Sequence, residues 1–336
     1  MRYIGNKTKL LPFLEESFGK YYADTSQRIL CDLFAGTCTV SSYFKTKFKK
    51  VISNDIEDYS YALAKNYIVN NGPPPGHIEE IRKLNNIPPS SGRLTSAFTS
   101  EGTENRLFFT ERNGRKIQAI REEIEKYKSD APMYDFLLCS LLESADIVSN
   151  TTGVYGAFLK KFNSRSLQEF TLKPYVARTG KGQALKGDAN EIVAKLNGDI
   201  LYLDPPYNAR KYSSNYHVLN CIVNFDNFKI KINKRTGKES VSGLTEEMNN
   251  SDYSSKRKVK RALEDLIEKS SGFETIFMSY NNEGLLSIPE VKTIFEKHGS
   301  YDLLTRQHKR YKSNTGSNEK QNKNVLELLH VLRRRK

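Results

Sequence analysis

Arg28-Ile29-Leu30-Cys31-Asp32-Leu33-Phe34 is an apolar run that ends on the small-residue turn Ala35-Gly36-Thr37. It reads as a buried strand, followed by a helix predicted over residues 39–48, where Val40, Tyr43, Phe44 and Lys47 fall at helical spacing. Val51-Ile52-Ser53 is a second strand ending at Asn54-Asp55, and residues 59–70 form a second helix. Strand, helix, strand and helix in close succession make a βαβ pattern, which implies a parallel sheet. The carboxyl end of the first strand is where an open α/β sheet takes a nucleotide-like ligand. Asp55, at the tip of the next strand, stands where an acidic residue accepts hydrogen bonds from ribose hydroxyls. The chain has neither a G-x-G-x-x-G run nor a Walker lysine motif, so the expected ligand is a nucleoside with a small charged tail rather than a pyrophosphate.

The pattern breaks at Gly72-Pro73-Pro74-Pro75-Gly76 and again at Pro88-Pro89-Ser90-Ser91-Gly92, both loops by composition. Helical periodicity recurs over 77–84, 112–128 and 134–147. Residues 72–180 therefore read as a mainly helical insertion into a core formed by residues 1–71 and 181–336. The sheet is expected to resume at 184–186, 200–203 and 275–279, with a helix over 288–297. Residues 301–304 and 325–332 are expected to close it as an antiparallel pair around a basic loop.

With 38% hydrophobic and 27% charged residues, the composition is that of a globular protein, long enough for one large domain or two ordinary ones. No apolar run approaches the ~20 residues of a membrane span, and residues 1–7 lack the apolar stretch of a signal peptide. A cytoplasmic protein is expected. Cys31, Cys38, Cys139 and Cys221 form no C-x-x-C pair and have no histidine at ligand spacing, so no metal site is expected. The net charge of +14 is clustered. From Asp226 to Arg261 lysine and arginine outnumber acids 10 to 5, and from Arg306 to Lys336 they do so 10 to 2. Clustering of this kind is the footprint of a nucleic-acid binder, and Tyr253 and Tyr311 among these charges favour phosphate contact.

Asp204-Pro205-Pro206-Tyr207 follows the apolar run Ile200–Leu203, so a buried strand ends on a carboxylate, two prolines and an aromatic ring. Neither proline has an N–H, so no backbone donor competes at those positions. The Asp204 carboxylate and the Pro205 carbonyl are suited to accept the two protons of an exocyclic amino group, and Tyr207 to stack on the ring that carries it.

Tyr3-Ile4-Gly5-Asn6-Lys7, the Asp32–Gly36 turn, Asn54-Asp55, Gly187-Asp188-Ala189 and Asp204-Pro205-Pro206-Tyr207 occur in one order. In these segments the sequence closely resembles the Dam-like adenine-specific DNA methyltransferases, particularly their restriction–modification members. Asn150–Gly156 and Ser279–Leu285 carry the likeness nearly end to end. The resemblance implies an α/β fold with a Rossmann-like S-adenosylmethionine-dependent methyltransferase core (a mixed, mostly parallel sheet) and a helical insertion that reads the DNA target. It implies that S-adenosyl-L-methionine is bound by Tyr3, Lys7, Asp32, Phe34, Gly36, Asp55, Asp188 and Asp204. Within that set, Lys7 would face the cofactor's carboxylate, Asp55 its ribose and Asp188 its adenine. Asp204, Pro205, Pro206 and Tyr207 would act on a flipped adenine in duplex DNA. A basic loop at 226–261 and the C-terminal segment would contact phosphates through Lys256, Arg257, Lys258, Lys260, Lys309, Arg310 and Lys312. A cognate restriction endonuclease is the other expected partner. One departure stands out: Cys38 occupies a position where the family commonly has a second glycine. An RNA or cytosine-N4 amino methyltransferase is the nearest rival, and a non-catalytic DNA-binding module the more distant one. Cytosine carbon-5 methylation is excluded because no cysteine follows a proline to serve as nucleophile.

Overall fold

The computed structural model describes residues 1–209, 211–309 and 324–335. Seven strands form one sheet: β1 (Ile29–Asp32), β2 (Lys50–Asp55), β3 (Gly182–Lys186), β4 (Gly198–Leu203), β5 (Phe273–Asn281), β6 (Gly299–Lys309) and β7 (Asn324–Arg334). Their order is β3-β2-β1-β4-β5-β7-β6, and only β7 runs antiparallel to its neighbours. Eleven α-helices are described: α1 (Leu11–Tyr21), α2 (Thr39–Phe44), α3 (Asp58–Ala64), α4 (His77–Asn86), α5 (Arg93–Phe98), α6 (Glu111–Ile124), α7 (Ala131–Ile147), α8 (Ala189–Val193), α9 (Tyr212–Asn224), α10 (Val259–Lys269) and α11 (Ile288–Glu296).

The central strands are apolar on both sides because both sides are covered. Leu30, Val51, Ile200, Tyr202 and Phe277 point towards α1 and α2. Their neighbours Cys31, Ile52, Leu201, Ile276 and Met278 point towards α8, α10 and α11. Period-two alternation thus shares each strand between two cores. A third core joins the insertion to the rest: Tyr59 and Leu63 of α3, Phe136, Leu137 and Leu141 of α7, and Leu219 and Ile222 of α9 pack together. The expected antiparallel pair is present as β6 and β7, with Leu304 opposite Leu329.

The structure differs from the sequence-based expectations in three places. Helix α9, directly after Asp204–Tyr207, is not signalled by periodicity, because its residues carry polar side chains on several sides and Tyr216 breaks the helical geometry at φ −132°. Helix α10 begins at Val259, so Lys260 and Arg261 lie in its first turn rather than in a loop. Tyr253 is buried, so it is a wall residue and not a phosphate contact. Arg310, Tyr311 and Lys312 lie outside the described residues, as does the side chain of Lys309.

Because the third core is built from both the insertion and the sheet's own helices, the two are expected to unfold together. Leu141→Ala, at a fully buried position, should cost about 2–5 kcal/mol. Thermal denaturation should still show one transition at a lower midpoint. A separate early transition in the variant would mean that residues 72–180 fold on their own.

Candidate active site

Strands β1, β2 and β4 end side by side, and the segments that leave their carboxyl ends line one cleft of about 1110 Å³, counted to its open mouth. After β1 the chain turns through Phe34–Thr37. Asp32 fixes this turn from below, accepting hydrogen bonds from the Ser41 N–H (3.2 Å) and hydroxyl (2.5 Å) of α2. Its other oxygen is buried and has no hydrogen-bond partner among the described residues. Gly36 adopts φ +52°, and its N–H donates to Asp55 at 2.7 Å. A Cβ at Gly36 would stand 2.9 Å from the Tyr3 ring, so only glycine lets the N-terminal arm cross the turn. Cys38, which replaces the family's common glycine, takes the left-handed conformation (φ 58°) that a glycine would accept without strain.

The arm is held at both ends. Arg2 donates to Asp146, Ser149 and the Thr151 carbonyl of the insertion. Tyr3 stacks on Tyr216 of α9 with ring centroids 4.6 Å apart, and its hydroxyl lies 2.8 Å from that of Tyr59. Lys7 is buried, its ammonium 3.0 Å from Asp204 and 3.4 Å from Glu327 of β7. It therefore faces the Asp204 carboxylate rather than standing free for a ligand's carboxylate.

After β4, Asp204, Pro206 and Tyr207 line the cleft, while Pro205 is buried and outside the lining. Tyr207 is braced edge-on by Tyr280, 78° between planes, and its carbonyl accepts from the Leu285 N–H at 3.0 Å. A Cβ placed on Gly5 would lie 3.7 Å from the hydroxyls of both Tyr207 and Tyr212. That corner is walled by two tyrosines and floored by glycine. Phe34 meets the buried Tyr253 edge-on at 5.0 Å, closing the opposite end beside Asp188.

Tyr3, Lys7, Asp32, Phe34, Gly36, Asp55, Asp188 and Asp204 thus all line the same cleft, with Pro206 and Tyr207. Lys256, Arg257, Lys258 and Lys260 are exposed nearby, and Lys258 pairs with Asp252 at 3.0 Å. Sequence reasoning missed Glu57, Tyr212 and Tyr253 as parts of the wall. A signal for Tyr212 exists, since it lies shortly beyond Tyr207 at the start of α9.

The electrostatics of the lining are lopsided. Among its described residues, Asp32, Asp55, Glu57, Asp188 and Asp204 face only Lys7 and Lys211. Burial pushes the Asp32 carboxyl up to about 7, helped by the nearby charges of Asp204 and Asp55. Burial likewise pushes Glu57 up to about 7 and Asp204 up to about 6, although Lys7 pulls Asp204 down. Asp55 is raised by burial as well. Burial alone would lower Lys7, but Asp204 and Glu327 outweigh it and hold the ammonium well above its usual range. Among the described residues no cluster of side chains is suited to hold a metal.

Residues 3–295 match the family described as D12 class N6 adenine-specific DNA methyltransferase. The Type II methyltransferase M.NlaIII of Neisseria lactamica is 42% identical over 340 residues, covering 99% of this chain and 99% of its own. The modification methylase StsI of Streptococcus sanguinis is 35% identical over 358 residues, which is 100% of this chain but 52% of StsI, so the chain spans about half that relative's length. Among solved structures, an rRNA methyltransferase, AviRa of Streptomyces viridochromogenes, shares 9% identity over 98% of this chain and 86% of that one, at a TM-score of 0.34 that carries no functional weight. Matched over most of its length by that family and over nearly all of it by M.NlaIII, the chain belongs to the D12 class N6 adenine-specific DNA methyltransferases, whose methyl donor is S-adenosylmethionine.

Proposed function

We propose that this chain is the modification enzyme of a restriction–modification system, methylating adenine N6 within a specific duplex sequence with Asp204, Pro205 and Tyr207 as its catalytic groups. The observation that carries this reading is the opening of Asp204, Pro206 and Tyr207 into the same cleft as the Asp32–Thr37 turn and Asp55. Transfer of label from S-adenosylmethionine to DNA, followed by nucleoside analysis, tests it. N6-methyladenine is the expected product, and label in RNA or in N4-methylcytosine would overturn the reading. A cognate endonuclease is supported by the restriction–modification relatives. Host DNA should be protected from cleavage at the methylated site. Among the described residues no helix is long and apolar enough to cross a membrane.

The cleft suits the cofactor on its own chemistry. Among the described residues, a lining of five carboxylates and two ammoniums, with a buried Asp32 oxygen left unpaired, favours a ligand of net positive charge. S-adenosylmethionine meets that requirement, supplying when bound an electrophilic methyl on a sulfonium, together with an ammonium. Asp55, beside the Gly36 turn, would accept from its ribose hydroxyls, and Phe34 and Tyr253 would border its base.

An adenine amino nitrogen is a poor nucleophile because its lone pair is delocalised into the ring. Asp204 and the Pro205 carbonyl would accept its two protons and hold the nitrogen pyramidal, with its lone pair aimed at the methyl carbon. As the methyl passed from sulfur to nitrogen, Asp204, whose raised pKa of about 6 makes it a competent base, would take the proton that the nitrogen sheds. Tyr207 would stack on the flipped base and offset part of the cost of unstacking. Lys256, Arg257, Lys258 and Lys260 would neutralise phosphates around the cleft.

Asp204→Ala should abolish methylation and weaken cofactor binding. Tyr207→Ala should cut turnover with cofactor affinity held within a few-fold. Equal loss of cofactor affinity in both variants, measured by calorimetry, would show the roles to be misassigned.

The raised carboxylates also set a pH dependence. Their folded pKa values lie above the unfolded ones, so the ligand-free protein loses stability from this cluster as pH rises from about 4 to about 7. A bound cation pulls the same groups down. Cofactor binding should therefore release protons and tighten as pH rises through about 6 to about 7. Calorimetry in buffers of different ionisation enthalpy reads this directly, and zero proton release would remove the charge argument. Lys7→Met should raise Asp204 further and move the acidic limb of kcat/KM to higher pH. An unmoved limb with cofactor affinity lowered roughly 10- to 150-fold would instead return Lys7 to the cofactor's carboxylate.

A further inference from the structure

Between two cleft-lining segments, 211–213 and 249–251, the chain makes an excursion that neither the fold nor the chemistry accounts for. Residues 229–246 form a short two-stranded ribbon. Ile230 bridges Thr245 and Ile232 bridges Glu239, with the Lys231 N–H donating to the Leu244 carbonyl at 2.7 Å and the Ser240 N–H to the Lys231 carbonyl at 2.7 Å. The tip turns at Asn233–Lys238, where Gly237 supplies φ +67°.

The root of this ribbon is rigid. Arg106, a buried residue of the insertion, donates to the Ser240 carbonyl at 2.9 Å, to Glu239 at 2.8 Å and to the Ala97 carbonyl at 3.1 Å. A ring N–H of His217 in α9 donates to the Ser242 carbonyl at 2.7 Å. Phe228 stacks on Phe98, and a Cβ on Gly243 would press to 3.0 Å from that same Phe98 ring. His217 lies about one and a half helical turns along α9 from Tyr212, which walls the tyrosine corner of the cleft, so the ribbon leaves the body beside that corner.

Its outer surface is unlike the root. Lys229, Lys231, Lys234, Arg235 and Lys238 are all exposed, and no acid stands between Phe228 and Lys238. A turn closed by the Gly243 N–H on the Ser240 carbonyl pushes Val241 outward to 75% exposure, and Ile232 is 52% exposed. Two exposed aliphatic side chains on a cationic ribbon offer apolar contact beside positive charge, a pairing that a polyanionic partner with apolar groups between its charges would complement. A two-stranded ribbon fits the ~12 Å major groove of duplex DNA.

We propose that the 229–246 ribbon enters the major groove next to the flipped adenine, its lysines and Arg235 on the flanking phosphates and Ile232 and Val241 against base edges, and so determines part of the recognised sequence. This rests on the reading of the chain as a DNA methyltransferase and deepens it. It also moves part of sequence reading from residues 72–180 to a segment held by them.

Ile232→Ser/Val241→Ser tests the base contact without altering charge, and both positions are exposed, so the fold is preserved. Kcat/KM on the cognate site should fall roughly 5- to 150-fold, with cofactor affinity and the salt slope of DNA binding unchanged. Sequencing of methylated DNA should show relaxed discrimination at positions beside the target adenine. Lys234→Ala/Arg235→Ala should do the reverse, flattening the salt slope by up to ~2 with little change in which sites are methylated. Unchanged kcat/KM and unchanged site choice in the Ile232/Val241 variant would overturn the proposal, as would a loss of discrimination in Leu167→Ser of the insertion instead. Failure of the underlying function shows separately, in a wild-type protein that makes no N6-methyladenine in DNA.

Discussion

The cleft is organised by a shortage of positive charge. Five carboxylates stand at or near the carboxyl ends of β1, β2, β3 and β4, and the buried ammonium that answers them, Lys7, arrives from the N-terminal arm ahead of the sheet. Parallel strands bring these ends together whether or not their charges agree, and the sheet's two apolar cores fix them there. The result is a site whose carboxylates hold protons at unusually high pH until a cation enters. The proposed affinity for a sulfonium ligand would thus be a property of the whole edge of the sheet.

Lys7 ties three parts of the molecule to that edge. It belongs to the N-terminal arm, pairs with Asp204 after β4 and reaches Glu327 on β7. The same arm is fastened to the insertion through Arg2 and to α9 through the Tyr3–Tyr216 stack. A displacement of α7 or α9 by DNA would therefore be felt at Asp204 through the short stretch from Arg2 to Lys7. This continuity explains why the insertion and the core share one hydrophobic cluster instead of meeting across a hydrated seam.

Roles in handling DNA divide by rigidity. The groups proposed to touch the reacting atoms sit on strand ends and are braced by aromatic contacts, as Tyr207 is by Tyr280. Cationic side chains such as Lys256 and Arg257 are exposed, suited to phosphates that demand charge but little geometry. The 229–246 ribbon lies between these extremes, with a locked root and a solvated tip, as expected of an element that must present side chains to bases in a defined register.

The sequence by itself determined the architecture of the sheet, because apolar strands, small-residue turns and helical periodicity are local signals read over a few residues. The βαβ start, the return of the sheet after residue 180 and the antiparallel closure by β6 and β7 were all legible this way. So were Asp32, Asp55 and Asp204 as strand-end residues, and all three line the cleft, whereas Asp188 stood out only through the family resemblance. What the sequence withheld depends on long-range contact. Lys7 was legible as a site residue, but its pairing with Asp204 and Glu327 joins segments far apart in the chain. Tyr253 looked like a surface residue among lysines until packing against Phe34 buried it. Helix α9 lacks a clean apolar stripe because it is enclosed by the insertion on one side and the N-terminal arm on the other, so periodicity had nothing to show. The ribbon at 229–246 has too few paired residues to signal strands, and only Arg106 and His217, brought in by the fold, give it a fixed shape.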